Sequence, residues 1–447
     1  MAEVFEVAGG ELTVEGVSAT ALAERFGTPL FVTSERRLRE NLRRFTGAFV
    51  SRYAGEVLVC VGMKANLGLA VRRVVVEEGG GGDAFGLGEL TVALRAGTDP
   101  AKIVMNGPNK SDEVLRAAVA SAITVNVDNL DELETLRRVA SQVGTAARVA
   151  LRIRLPLEEL AGRRYVDPRY GPPGIDVVGW ERAFKFGMEP ASFFAAVERA
   201  VAADEVDLIG VAYHGGIPRR AGYHVEEVED LMAHVVEARD RTGWAPETVN
   251  LGGGFVPPRR GVTPAPPSLQ RYAEEITAAL TTACDEADLA LPSLVLEPGR
   301  YCWEDAVVWL TRVGNTKRDE SLAHKTWVYV DGSINDMADP FDPNDRRREI
   351  IVANDPAREV AGPVDVCGPL CNAADVLAAA RPLPPLSTGD LLAFLDMGAY
   401  NESFANQSNA TPRSASVLVS EGRAEVVRRR ETIEDLLARD TLPSWLA

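Results

Sequence analysis

The sequence predicts a (β/α)8 barrel joined to a mostly β domain, an α/β + β class, on two observations. From about residue 55 to 300, eight short apolar runs alternate with amphipathic stretches. Continuous apolar strands alternating with helices make a parallel sheet covered by helices, and eight such units favour closure into a barrel over an open sheet. After Arg300 the long helical stretches stop, and apolar runs are separated by turns rich in Pro, Gly and Asp, the pattern of a β domain. A chain of 447 residues can bury two large cores.

The elements follow in order. FEVAGGELTVEG, near the N-terminus, reads as a hairpin that completes the later β sheet. The barrel strands are VLVCVGM (57–63), GDAFGL (82–87), KIVMNG (102–107), AITVNV (122–127), RVALRIRL (148–155), LIGVAYHGG (208–216), TVNLGGG (248–254) and LVLEPGR (294–300). Between them, SDEVLRAAVASA, NLDELETLRRVASQ, ASFFAAVERAVAA and VEEVEDLMAHVVEARDR repeat apolar residues at three- and four-residue spacing. KSDEV and NLDEL also open with an N-cap residue followed by acids. TWVYVDG, VDVCGPLC, DLLAFLDMGAY and ASVLVSEG are strands of the β domain. The division assigns residues 30–300 to the barrel and 1–29 with 301–447 to the β domain. Two polar stretches, 158–180 and 338–360, are rich in Pro or Asp and long for simple connections, so they read as functional loops.

Composition narrows the partners. The net charge of −17 argues against nucleic acid and anionic membranes, which need clustered cations. No run is long and apolar enough to span a bilayer, and the N-terminus lacks a basic segment followed by an apolar core. Five cysteines without CxxC or Cys/His clustering fit a reducing cytoplasm and no structural zinc.

In a barrel, ligands gather at the C-terminal ends of the strands. Lys64, Asp83, His214, Gly252–Gly254 and Glu297 through Arg300 all fall there. Lys64 is one of six lysines against 42 arginines. Taken alone it is a strand-end cation reaching solvent, but a partly desolvated lysine can also lose its proton and attack a carbonyl, which arginine cannot do. Three consecutive glycines can present bare backbone N–H groups to an anion. No GxGxxG or GKS/T follows, so neither a dinucleotide fingerprint nor a P-loop is present.

KAN, GDAFGLGEL, NGPNKSDEVLRAA, NVDNLDEL, FKFGM, HGG, LGGGF, EPGR, CGPLCN and GAY…N…PR…VLV occur in this order. The set resembles the fold-type III pyridoxal-phosphate-dependent decarboxylases, the group of the diaminopimelate, ornithine and arginine decarboxylases, over roughly residues 20–420. The resemblance implies an alanine-racemase-like barrel and covalent attachment of pyridoxal 5′-phosphate to Lys64. It implies that His214 stacks on the cofactor ring, that Glu297 pairs with the ring nitrogen, and that Asp83 and Glu89 line the Lys64 side. It also implies that Gly252, Gly253, Gly254, Gly299, Arg300 and Tyr400 bind the cofactor. Cys371 matches the cysteine that returns a proton to the substrate carbon. With Asp375 and Tyr400 it is expected to reach the site of a second subunit, which makes the protein a homodimer. The implied substrate-binding residues are Arg300, Asp339, Asn372, Asp375 and Tyr400.

Four departures stand out. Val61-Gly62 replaces the usual Tyr-Ala before the lysine motif, and Ile217 replaces a phosphate-binding serine. Diaminopimelate decarboxylases hold the distal carboxylate with an arginine in GxNDLxRPxLY, whereas GSINDMADPFDP puts Asp339 at that position. The acidic residue expected after the cysteine, which meets a distal ammonium, is Asn372. The expectation is therefore a decarboxylase for another amino acid or an amino-acid conjugate, free or carrier-tethered, in specialised metabolism. Two readings remain beside it: a racemase or epimerase on the same fold, and a binding protein that has lost catalysis.

Overall fold

A computed structural model of the chain describes residues 5–155, 185–215, 223–257, 267–321, 325–340 and 348–446. The 158–180 stretch, Gly216, Ile217 and residues 341–347 lie outside them. The chain divides into two compact units, Arg39–Cys302 and Met1–Leu38 with Trp303–Ala447.

The N-terminal strands are β1 (Phe5–Ala8), β2 (Glu11–Val14) and β3 (Val17–Ser18), followed by β4 (Leu30–Ser34). The barrel strands are β5 (Val57–Gly62), β6 (Gly81–Ala84), β7 (Ile103–Met105), β8 (Thr124–Val127), β9 (Ala147–Arg152), β10 (Val206–Ala212), β11 (Thr248–Asn250) and β12 (Ser293–Leu296). They pair in parallel and close, with β12 beside β5 and β9 beside β10. All eight expected strands are present, each shorter than its apolar run. The runs continue past the ladder, and their last residues form the mouth where the chemistry sits. Cys60, Val104 and Val295 pack inside the barrel. Helices Asp112–Ala120 and Leu130–Val143 start where the sequence places caps: Ser111 accepts from Val114 N–H at 3.3 Å, and Asn129 from Glu132 N–H at 2.9 Å. No described helix is long and apolar enough to cross a membrane.

The second unit holds β13 (Val307–Asp319), β14 (Lys325–Val330), β15 (Ile350–Val352), β16 (Gly362–Cys367), β17 (Val376–Leu383), β18 (Leu391–Phe394), β19 (Ala415–Ser420) and β20 (Arg423–Arg428). Its nine-stranded sheet includes β4, which lies between β13 and β19. β4 thus belongs with the second unit, and the barrel unit begins at Arg39. All five residues of β4 are buried, and they serve two cores: Leu30 and Val32 enter one, Phe31 the other. Such a strand needs cover on both faces.

The N-terminal hairpin also differs from expectation. β1, β2 and β3 form their own three-stranded sheet rather than completing the large one. Leu12 and Val14 pack against Val308, Leu391 and Val417 face to face, and Leu12 N–H donates to Ala353 O at 2.8 Å.

Candidate active site

Lys64 leaves the end of β5 in a single turn of 3-10 helix, Met63–Ala65. Buried Arg72 builds that turn. Its guanidinium donates to the carbonyls of Asn66 (2.7 Å), Val61 (2.9 Å) and Gly62. Arg72 thus ties together the backbone from which Lys64 projects. Burial lowers the Arg72 pKa to about 10.

Lys64 Nζ lies 3.4 Å from Asp83 Oδ2 and 4.7 Å from the centre of the Phe85 ring. Asp83 is 1% exposed, whereas the Lys64 side chain is 33% exposed. The amine is therefore oriented by a buried acid and still accessible. Glu89 sits at the start of the next helix, and its carboxylate accepts from Phe85 N–H at 2.7 Å. Burial raises its pKa.

Glu297 follows β12 directly. Its Oε1 accepts from Asn106 Nδ2 at 2.9 Å and from Asn250 Nδ2 at 2.8 Å. Asn106 Nδ2 also donates to Asp83 Oδ1 at 2.7 Å. Desolvation, then the neighbouring Asp83 charge, pushes the Glu297 carboxyl up to about 7. A carboxyl whose folded pKa exceeds its unfolded value of 4.5 takes up a proton on folding between those values, so stability falls as pH rises through that window. Thermal unfolding of cofactor-free protein should show this as a loss of stability from pH about 5 to 7.5 that is smaller in Glu297→Gln. Equal slopes in the two proteins would refute it.

His214 lies beyond β10. Burial, with Arg152 and Lys64 adding to it, lowers its imidazole pKa to about 3, so the ring is neutral. Its buried Nδ1 has no partner among the described residues. The glycine run is shaped around it: a Cβ on Gly252 would stand 2.8 Å from His214 Cβ, and one on Gly253 2.5 Å from Glu297 O. Gly252 (φ 68°) and Gly254 (φ 96°) are left-handed.

One expected role changes here. Gly252 N–H already donates to Asn250 Oδ1 at 2.8 Å, so Gly252 makes the turn and the close approach. Gly253 and Gly254 keep backbone N–H groups without acceptors among the described residues. Gly299 and Arg300 are buried at the start of the helix Arg300–Trp303.

The remaining candidates belong to the other unit. Cys371 is the one exposed cysteine of five, its Sγ 3.3 Å from Asn409 Oδ1. Asn372 Oδ1 accepts from Ala374 N–H at 2.9 Å, closing the turn that carries the thiol. Asp375 is buried, and its two oxygens accept from Ile334 N–H and Leu370 N–H, both at 2.9 Å. Its carboxylate thus builds the Cys371 loop. Tyr400 holds φ 67°, an outlier for a bulky residue of the kind that clusters at functional sites. Asp339 is buried 3.6 Å from Arg348 Nη2, and Arg348 Nη1 faces Glu304 at 3.8 Å.

Sequence reasoning missed Asn106, Asn126, Asn250, Arg72 and Arg348. The three asparagines had a signal: Asn is depleted from strands, yet all three stand on or just past barrel strands. The barrel mouth combines an accessible amine, a buried acid, an orphaned imidazole atom and bare glycine N–H groups. These donors fit pyridoxal phosphate.

Residues 35–304 match the family model described as the pyridoxal binding domain of pyridoxal-dependent decarboxylases. A diaminopimelate decarboxylase of Methanothermobacter thermautotrophicus is 34% identical, over 98% of this chain and 97% of that protein. That of Archaeoglobus fulgidus is 33% identical over 99% and 100%. The crystal structure of diaminopimelate decarboxylase from Methanocaldococcus jannaschii has a TM-score of 0.89 at 31% identity, with 99% of each chain covered. One in complex with L-lysine has 0.88 at 30%, covering 100% of this chain and 99% of that one. With the barrel, the β domain and this donor set already in place, the chain belongs to the pyridoxal-dependent decarboxylases and is a pyridoxal-phosphate-dependent amino-acid decarboxylase.

Proposed function

We propose that this decarboxylase acts on an α-amino acid, or an amino-acid conjugate of specialised metabolism, whose far end is not a carboxylate. Asp339 is the observation that supports this. It occupies the position at which diaminopimelate decarboxylases resemble one another in having a carboxylate-binding arginine. Here the buried Asp339 carboxylate lies 3.6 Å from Arg348 Nη2. An acid at this position opposes an anionic group and suits a neutral or cationic one.

Meso-diaminopimelate is the second reading. It is favoured by 34% identity across nearly the whole of a protein bearing that name, and by Arg348, a guanidinium reaching the same carboxylate. A kcat/KM comparison over meso-diaminopimelate, L-lysine, L-ornithine, L-arginine and their N-acyl derivatives decides between them. Efficient conversion of meso-diaminopimelate to lysine would sink the first reading. An amine product separates decarboxylation from racemisation, which returns an enantiomer.

Pyridoxal phosphate, when bound, supplies a ring that accepts the electron pair left by departing CO2. Lys64 Nζ would hold the cofactor covalently, with Asp83 orienting the amine. Glu297 takes the ring-nitrogen N–H as a hydrogen-bond acceptor. His214 offers a neutral ring for stacking. Gly253 and Gly254, with Arg300, would hold the phosphate. Cys371 Sγ would give a proton to the substrate carbon, reaching it from the second subunit of a homodimer. Its exposure, unlike that of the four buried cysteines, supports this role.

A further inference from the structure

The geometry points to an amide clamp: Asn106 and Asn250 both donate to Glu297 Oε1 and so hold this carboxyl as an acceptor, which drives the shared proton onto the cofactor's ring nitrogen. The inference deepens the reading above and rests on Glu297 as the ring-nitrogen partner.

The orientation of each amide follows from its other end. Gly252 N–H can only donate, so the Asn250 atom that it meets at 2.8 Å is the carbonyl oxygen, and the NH2 faces Glu297. Asn106 Oδ1 accepts from Asn126 Nδ2 at 2.8 Å. The Asn106 NH2 then has both hydrogens committed, one to Asp83 Oδ1 and one to Glu297 Oε1. Asn126 Oδ1 is buried without a partner among the described residues. Turning the Asn126–Asn106 pair over would satisfy it, but would aim an amide oxygen at both carboxylates. The acids therefore dictate the arrangement.

Both clamp donors converge on Oε1. Among the described residues no donor reaches Oε2, and that oxygen is left for a ring N–H. The titratable and charged groups facing Glu297 are Asp83 on β6, Lys64 beyond β5 and Cys60 on β5. Arg72 and Glu89 act on Asp83 in turn. Against the Asp83 charge and desolvation, which favour a protonated Glu297, the two amides and Lys64 favour the carboxylate. Only a carboxylate leaves the proton on the ring. Asn106 and Asn250 are thus positioning residues for electron withdrawal.

The test reconstitutes holoenzyme with pyridoxal phosphate labelled with 15N in the ring and follows its resonance at neutral pH. Wild type should show a protonated ring nitrogen. In Asn106→Leu and Asn250→Leu, each lost charge-assisted donor should move the proton about ten-fold toward Glu297. The resonance then shifts toward the unprotonated value, and kcat falls while KM holds. Asn106→Ser, smaller and with one hydroxyl donor left, covers a leucine variant that fails to fold and should shift the same way by less. Glu297→Gln is the control. If it moves the resonance and the asparagine variants do not, the clamp is refuted. If Glu297→Gln itself leaves the ring protonated, Glu297 is not its partner, and the site reading falls with the clamp.

Discussion

Lys64→Arg should give a folded protein that has lost about six orders of magnitude in activity, the scale seen when a covalent catalytic group is removed. It should also lack the visible absorbance of covalently held cofactor. The replacement keeps positive charge beside Asp83, so the ion pair that orients residue 64 survives. What disappears is a nitrogen able to shed its proton and bond to a carbonyl carbon, because a guanidinium stays protonated at any working pH. Borohydride reduction followed by peptide mapping provides the check. Wild type should carry a pyridoxyl group on Lys64, and Lys64→Arg none. A labelled peptide elsewhere, or a variant at full activity, would remove Lys64 from its proposed role.

The largest effect on stability is expected from Lys110→Ala. Lys110 is fully buried, and its ammonium donates to Gly107 O (2.7 Å), Asn126 O (2.8 Å) and both Glu132 oxygens (2.9 and 3.0 Å). Glu132 Oε2 also accepts from Asp128 N–H at 2.8 Å. Truncating Lys110 strands the Glu132 charge inside the protein, a change that costs about 3–5 kcal/mol. Denaturant unfolding should show it as a lower midpoint. The double variant Lys110→Met with Glu132→Gln should recover part of the loss, because no uncompensated charge is left. A single variant as stable as wild type would show that water enters and solvates Glu132.

The barrel was legible because burial on both faces demands unbroken apolar runs, and eight of them occur at regular intervals. Lys64, Asp83, His214 and Glu297 could be placed together because strand ends share one mouth. What escaped was what depends on partners distant in sequence. Leu30–Ser34, three apolar residues followed by Thr and Ser, looks like a barrel element until β13 and β19 are seen on either side. VLAAARPL, the strand Val376–Leu383, contains little of the β-branched and aromatic character that marks strands. Asn106, Asn126 and Asn250 look like turn residues in one dimension and become a connected amide chain only when three barrel strands meet. Asp375 has the composition of a ligand contact, and only its two backbone bonds show it building a loop.

The position of β4 governs the order in which this chain can assemble on the ribosome. Residues 39–302 encode the barrel without interruption, so every barrel strand can meet its neighbours before the rest of the chain is made. Leu30–Ser34 emerges before the barrel, yet it pairs with residues 307–310 and 415–419. Through the whole synthesis of the barrel the nascent polypeptide carries an apolar strand with two unpaired edges, the kind of segment that associates with other chains. Translation pauses after residue 302 lengthen that exposure, whereas chaperones that bind extended apolar segments near the N-terminus shorten it.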